Sequence, residues 1–417
     1  MTIRRSAAAL TAASAVFCGA LAGAPAAIAA PSPAPAPVIP DGLYGTTDPT
    51  YDGVWRQSLA FLAQDVAKVV PSAKAVSWLA GQQCASGGFA SFRADPAKPC
   101  DAKTMLDSNA TSAALQALSA LGGHKEQVAK GVDWLKSVQN ADGGWGYNPG
   151  FPSDANSTGI VIGALAAADA RPAAMKSAKG KSPYDALVSF AIPCTDKTGG
   201  GAFAYQPDKA GKLVANGDAT AAAVLGGLGR GLVVSGPKPG GAPKCVSADP
   251  ATPEQSARNG AAYLATALAR TGHLDTAPMP GAADPAPQPD FGNTADAVVA
   301  LSAAGHKDKA AASLTWLEKN SSAWAKAGGP AAYAQLILAA NAYGADPRHF
   351  GSSDLVSLLS STGPAPASTK APAPAAEADE KEVVGGDNAG IWWIIGAGLA
   401  AGVGAGFLIS GRRKNKQ

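Results

Sequence analysis

The sequence predicts an all-α protein of about six helical hairpins, and three observations predict it. One helix start recurs: an acid or amide, any residue, a small polar residue, any residue, then Thr. It alternates with bulkier helices, three of which run into a glycine turn that ends in an aromatic ring. Apolar residues make up 47% of the 417 and charged residues 16%, with Ala and Gly supplying much of the apolar share, as closely packed helices require.

The recurrent start stands as Asp107-Ser-Asn-Ala-Thr111, Asp154-Ala-Asn-Ser-Thr158, Asn216-Gly-Asp-Ala-Thr220 and Asp290-Phe-Gly-Asn-Thr294. Leu118, Leu165 and Leu301 each lie seven residues past their Thr, two helical turns on. Gly328-Gly-Pro-Ala-Ala332, with Ala339 seven further, is a degenerate fifth copy. Asp, Asn and Thr at a helix start satisfy free backbone N–H groups, so one reading of the pattern is capping. The other is that Asp107, Thr111, Asp154, Thr158, Asp218, Thr220, Asp290 and Thr294 rim a common cavity.

The partner helices carry Trp78-Leu79, Trp134-Leu135 and Phe190 at a spacing of 56 residues, with Trp316-Leu317 in the same role later. The turns are Gly87-Gly88-Phe89, Gly143-Gly144-Trp145 and Gly200-Gly201-Ala202-Phe203, and Phe291 is the candidate for a fourth aromatic. In order, helices are expected to start near Tyr51, Ala73, Asn109, Lys125, Asn156, Ser182, Asp218, Pro253, Thr294, Lys307, Pro330 and Ser352. Small residues such as Ala113, Ala114 and Ala221 to Ala223 suit the Thr-started helices to a crowded inner ring. The Trp/Leu helices suit an outer one. Such units cannot bury their apolar faces alone and must stack, and six pairs can close into a barrel. Residues 232–256 and 275–290, rich in Pro and Gly, read as loops inserted between repeats: a lid, a binding edge or a solvated excursion.

The flanks predict location. Residues 1–30 form a secretion signal with Arg4 and Arg5, an apolar centre and Ala27-Ile-Ala29 before the cleavage point. A lipoprotein reading at Cys18 is disfavoured by the bulky Phe17 before it. A Pro-rich spacer covers 31–43, the folded region 44–361, and a Pro/Ala-rich linker 362–388. Residues 389–410 are apolar and uncharged, long enough to cross a bilayer, and the basic tail 411–417 marks the cytoplasmic side. The folded part is therefore expected outside the cell, tethered to the membrane. Four cysteines remain after the signal, an even count that suggests disulfides in an exported chain. Of three possible pairings, Cys84–Cys100 with Cys194–Cys245 is favoured, because each pair then brackets one loop.

The QQ…GGF stretch ending at Phe89 and the SVQNADGGWG stretch from Ser137, alternating with the D-x-N-x-T starts, resemble the prenyltransferase and squalene-oxidase (squalene–hopene cyclase) repeat. The resemblance covers most of residues 51–361, is best over 131–165 and weakens after Gly231. It implies an (α/α)6 toroid with a central cavity. The same architecture serves catalysts and non-catalytic carriers alike.

Motifs for chemistry are sparse. A protonating cyclase needs a strong acid beside a second carboxylate, but DxDD is missing and no two Asp are adjacent. DDxxD is missing too. A zinc prenyltransferase needs an Asp/Cys/His trio, yet His124, His273, His306 and His349 are scattered and the cysteines lie in the disulfide loops. His124 and His306 follow Gly123 and Gly305 at equivalent helix ends, as a repeated turn residue would. No catalytic residue, metal or cofactor is therefore assigned. A net charge of +3 with no basic run in the central region disfavours a nucleic-acid partner. The leading expectation is a non-catalytic, surface-displayed toroid that binds an apolar or cofactor-like small molecule or a surface partner. Two alternatives stand beside it: a terpene cyclase or prenyltransferase with a rearranged site, and an adhesion or scaffold module.

Overall fold

A computed structural model describes residues 38–236, 239–276 and 287–369, all within one compact unit. The secretion signal, the membrane span at 389–410 and the basic tail lie outside the described residues, as do most of the spacer and of the linker. No helix among the described residues is long and apolar enough to cross a membrane.

The described chain is mostly helical, with twelve α-helices and two short two-stranded ladders. The helices are α1 (Gly53–Val66), α2 (Ala73–Gly81), α3 (Ser108–Leu121), α4 (Lys125–Ser137), α5 (Ala155–Ala167) and α6 (Pro183–Ser189). They continue as α7 (Gly217–Gly227), α8 (Pro253–Thr271), α9 (Phe291–Ala303), α10 (Lys307–Asn320), α11 (Ser322–Tyr343) and α12 (Leu355–Ser360). Strand β1 (Val69–Val70) pairs with β4 (Ser368–Thr369), and β2 (Leu274–Thr276) pairs with β3 (Gln288–Asp290). The start expected at Pro330 is the one that moves far, since α11 begins at Ser322. A break survives where it was expected: Gly329 has φ 62° and ψ −139°, so the helical path restarts at Pro330.

Each even-numbered helix packs on the odd-numbered helix before it. The odd-numbered helices pack on one another in the order α1, α3, α5, α7, α9, α11, and α11 packs back on α1. Two hairpin cores show why. Leu115, Trp134, Leu135, Trp145 and Leu165 form one, and Ile162, Leu187, Phe190 and Phe203 form the next. Each core takes residues from consecutive hairpins, so neither hairpin is complete alone. The Cys84–Cys100 and Cys194–Cys245 bonds form, each with Cα atoms 5.7 Å apart.

The recurrent motif divides its labour by position. Its first residue caps: Asp154 accepts from Ser157 N at 2.6 Å, Asn216 from Ala219 N at 2.8 Å and Asp290 from Asn293 N at 3.0 Å. Its Thr clamps the preceding turn. The Oγ1 of Thr111, Thr158 and Thr220 accepts the backbone N–H of Phe89, Trp145 and Phe203 at 2.9, 3.1 and 3.0 Å. Thr294 takes the N–H of Leu274 at 3.0 Å. Leu274, not Phe291, therefore holds the fourth aromatic's place. Phe291 instead opens α9 and stacks on Trp316 and Trp324. Thr158→Val keeps the shape but leaves the buried Trp145 N–H without its acceptor. Urea denaturation should show a loss of about 1–3 kcal/mol, and unchanged stability would refute the clamp.

The insertion after α7 does not lie free. The Gln116 side chain of α3 accepts Leu232 N at 2.8 Å, and Asn341 of α11 donates to Val234 O at 3.0 Å. Gly163 of α5 lies so close that an added Cβ would sit 2.8 Å from Arg230 O. Residues 230–234 thus cross between α3, α5 and α11 at one end of the odd-numbered helices, and Val234 is buried there.

Candidate functional site

All six odd-numbered helices contribute to one cavity of about 380 Å³. Residues from the N-terminal ends of α1, α3, α5, α7 and α9 meet in its lining, so these ends share one face. Tyr51 and Tyr147 edge the cavity there and are exposed, so it opens to solvent at that face. Arg230, Gly231 and Leu232 line the opposite end.

The wall is polar towards the mouth and mostly apolar deeper in, with Gln116 and Arg230 the polar exceptions at the floor. Asp52, Asp107, Asn109, Asn156, Asp218, Asn293 and Asp296 stand at the caps or in the N-terminal halves of their helices, and Gln335 stands early in the part of α11 that restarts at Pro330. Leu225, Val299 and Leu338 lie deeper along the same helices. Local sequence explains which residues face inward. The third residue of the motif, Asn109, Asn156 or Asp218, lines the cavity, while the Thr turns away; of the capping residues Asp107 also reaches the lining, and Asp154, Asn216 and Asp290 do not.

Two carboxylates meet here from consecutive members of the ring, α7 and α9. Asp218 accepts Asn156 Nδ2 at 2.8 Å, and Asp296 accepts Gln335 Nε2 at 3.1 Å. Burial pushes Asp296 up to about 7, and the nearby Asp218 charge adds to the effect. Asp218 is pushed up to about 6, first by burial and then by the Asp290 and Asp154 carboxylates. Both carboxyls are thus raised towards neutral pH, as burial of like charges in one cavity requires. Burial also raises Asp107 and Asp154.

Of the residues singled out from sequence, Asp107 and Asp218 line the cavity. Thr111, Thr158, Thr220 and Thr294 are fully buried behind it, in the turn clamps. Asp154 is fully buried as a cap, and Asp290 caps α9 beside the mouth. Asp296, Gln335, Gln116, Trp55 and Asn293 were not foreseen. Asp296 carried one legible sign, a lone charge inside an otherwise uncharged helix. His124 and His306 both sit at the N-caps of the following helices, α4 and α10. No group of three or more His, Cys, Asp or Glu able to hold a metal occurs among the described residues.

No protein-family model matches the chain, and no curated protein does. Among solved structures, a protein from Actinoplanes is 15% identical, with a TM-score of 0.46, over 74% of this chain and 95% of that one. A glycosidase is 14% identical, with a TM-score of 0.41, over 70% of this chain and 86% of that one. Likenesses this distant assign neither site nor activity.

Proposed function

We propose that the central cavity binds a neutral, polyhydroxylated ligand and carries out acid–base cleavage of a glycosidic bond. Asp296 would protonate the leaving oxygen, and Asp218 would take a proton from the water that bonds to the anomeric carbon as the glycosidic C–O bond breaks. The observation that carries this reading is the acid pair, pushed up to about 7 and about 6, in a cavity also lined by amide side chains and by Asp52 and Asp107. Asn109, Asn156, Asn293 and Gln335 each offer both donors and acceptors, which suits hydroxyl groups. Asn109 Oδ1 is buried without a partner, and an apolar ligand would leave it so at a cost of about 1–3 kcal/mol. Trp55 and Tyr51 add ring faces on which a sugar can stack.

The cyclic packing of α1 through α11, with an outer partner for each, supports reading the fold as an (α/α)6 toroid. The recurring turn clamp supports kinship with the prenyltransferase and squalene-oxidase repeat. The kinship favours a second reading, protonation of an isoprenoid by Asp296, and the apolar floor is the observation on its side. Two disulfides fit an exported domain. We place it outside the cell, tethered by residues 389–410.

The test uses the full chain with cello-, malto-, xylo-, manno- and chitohexaose, followed by calorimetry and product mass spectrometry. At least one sugar should be cleaved, and Asp296→Asn should lower the rate by about 10²–10⁴-fold while binding persists. Binding without cleavage by the unaltered protein would leave a carrier. Turnover of squalene or a prenyl diphosphate, with no sugar bound, would favour the second reading.

A further inference from the structure

We propose that this site reads the end of a chain: the terminal unit enters the cavity and the following units lie across an aromatic rim outside it. The inference rests on the saccharide reading above and adds how the ligand is presented.

The first argument is the closed floor. Residues 230–234 bridge α3, α5 and α11 through Gln116, the close approach at Gly163, and Asn341. A continuous chain cannot thread from face to face past Leu232 and Val234, which are packed into the core. The cavity is a pocket, and a pocket of about 380 Å³ holds a unit or two of a chain.

The second argument is the distribution of exposed apolar side chains. Among the described residues, six of the ten large exposed ones are Tyr51, Met105, Tyr147, Phe151, Tyr205 and Val214. All six lie in the segments that lead into α1, α3, α5 and α7, on the open face. Tyr51 and Tyr147 edge the mouth itself, and the six together would form an arc beside it, whereas random scatter would spread them over both faces and the outer helices.

The third argument is that two of these rings are held in place. Tyr147 and Tyr205 stand two residues past Trp145 and Phe203, in the same register of successive hairpins. The Tyr147 hydroxyl stands near enough to the Asp107 carboxylate, and the Tyr205 hydroxyl to that of Asp154, to favour the ionised acid. Asp107 and Asp154 are both buried, so each ring leans its hydroxyl on the rigid start of an inner helix while its face stays in solvent. A ring used only to cover the core would be buried; an exposed ring leaning on a buried acid is a pre-organised platform.

Charge selects the chain. Asp52, Asp107, Asp218 and Asp296 line the cavity. Arg56, the nearest cation to Asp52, is 1% exposed and donates to Thr47 and Asp52. Arg230, at the floor, is the one cation among the residues that line the cavity. Polyanionic chains are repelled at the mouth, and neutral linear saccharides fit.

The experiment measures binding of the full chain to the hexaose that binds in the panel above, to its disaccharide, and to the long polymer of the same linkage. The hexaose should bind at least about tenfold more tightly than the disaccharide. Phe151→Ala/Tyr205→Ala, on the arc but outside the cavity, should remove most of that gain and leave disaccharide binding within about twofold. The polymer should compete in proportion to its chain ends. Competition in proportion to its sugar units would overturn end reading and leave the saccharide site standing. Equal affinity for hexaose and disaccharide would overturn the rim. Failure of every neutral saccharide to bind would overturn both the rim and the function it rests on.

Discussion

Asp296→Asn is expected to make the protein more stable at pH 8, not less, and to flatten much of its pH dependence between about pH 4 and pH 7. Asp296 receives one side-chain hydrogen bond, from Gln335, and faces the narrow cavity, so its ionised form is poorly solvated. Its carboxyl titrates at about 7 when folded and near 3.8 when unfolded. Between those values the native state holds a proton that the unfolded state has released. Stability is therefore greatest below the unfolded value and declines as pH rises through the folded one. Asp218, at about 6, adds a decline of the same sign. Surface carboxyls that are held low, such as Asp185 by Ser182 and Asp196 by Thr198, act in the opposite sense and only at lower pH. Urea denaturation at pH 5 and pH 8 should thus show the unaltered protein weaker at pH 8. Asp296→Asn should recover roughly 2–4 kcal/mol there. Rising stability of the unaltered protein over that interval would refute the burial of both acids. A group retained at such a cost in the centre of the fold is what a functional acid looks like.

The hairpins and their starts were legible because each follows from short-range chemistry. Asp154 caps four residues from the Thr158 that clamps the turn, and both contacts are fixed by helix geometry. Capping and cavity rim, which stood as rival readings, are compatible: Asp154 caps while Asn156 lines the cavity, and Asp107 does both. The acid pair was not legible for a corresponding reason. Asp218 and Asp296 lie 78 positions apart on separate helices, so only ring closure brings them together. A search for contiguous DxDD could not find them. The floor was obscured by the glycines and prolines after it, although Leu232-Val233-Val234 already carried the apolar run that a buried crossing needs.

Gly143→Ala is expected to cost about 3–4 kcal/mol, from two separable sources. Gly143 has φ +97°, and its counterparts Gly87 and Gly201 have +99° and +89°, values that residues with a Cβ rarely adopt. Strain alone contributes about 1–3 kcal/mol. The added methyl would also sit 2.2 Å from Ser182 O. Ser182 caps α6 through a reciprocal pair with Asp185, so moving it strains that cap as well. At Gly87 the same methyl would meet Lys130 O at 2.1 Å, and at Gly201 it would meet Asn259 O at 2.7 Å. In all three hairpins the turn glycine is the point where one repeat's backbone touches the next outer helix or its cap. Gly180→Ala supplies the control, since Gly180 has φ +73° and nothing within 4 Å of the added carbon. Denaturant titration should place Gly180→Ala at the strain cost alone and Gly143→Ala at least about 1 kcal/mol beyond it. Equal losses would mean that the repeats do not meet at these glycines, and that the spacing between successive hairpins is set by side-chain packing instead.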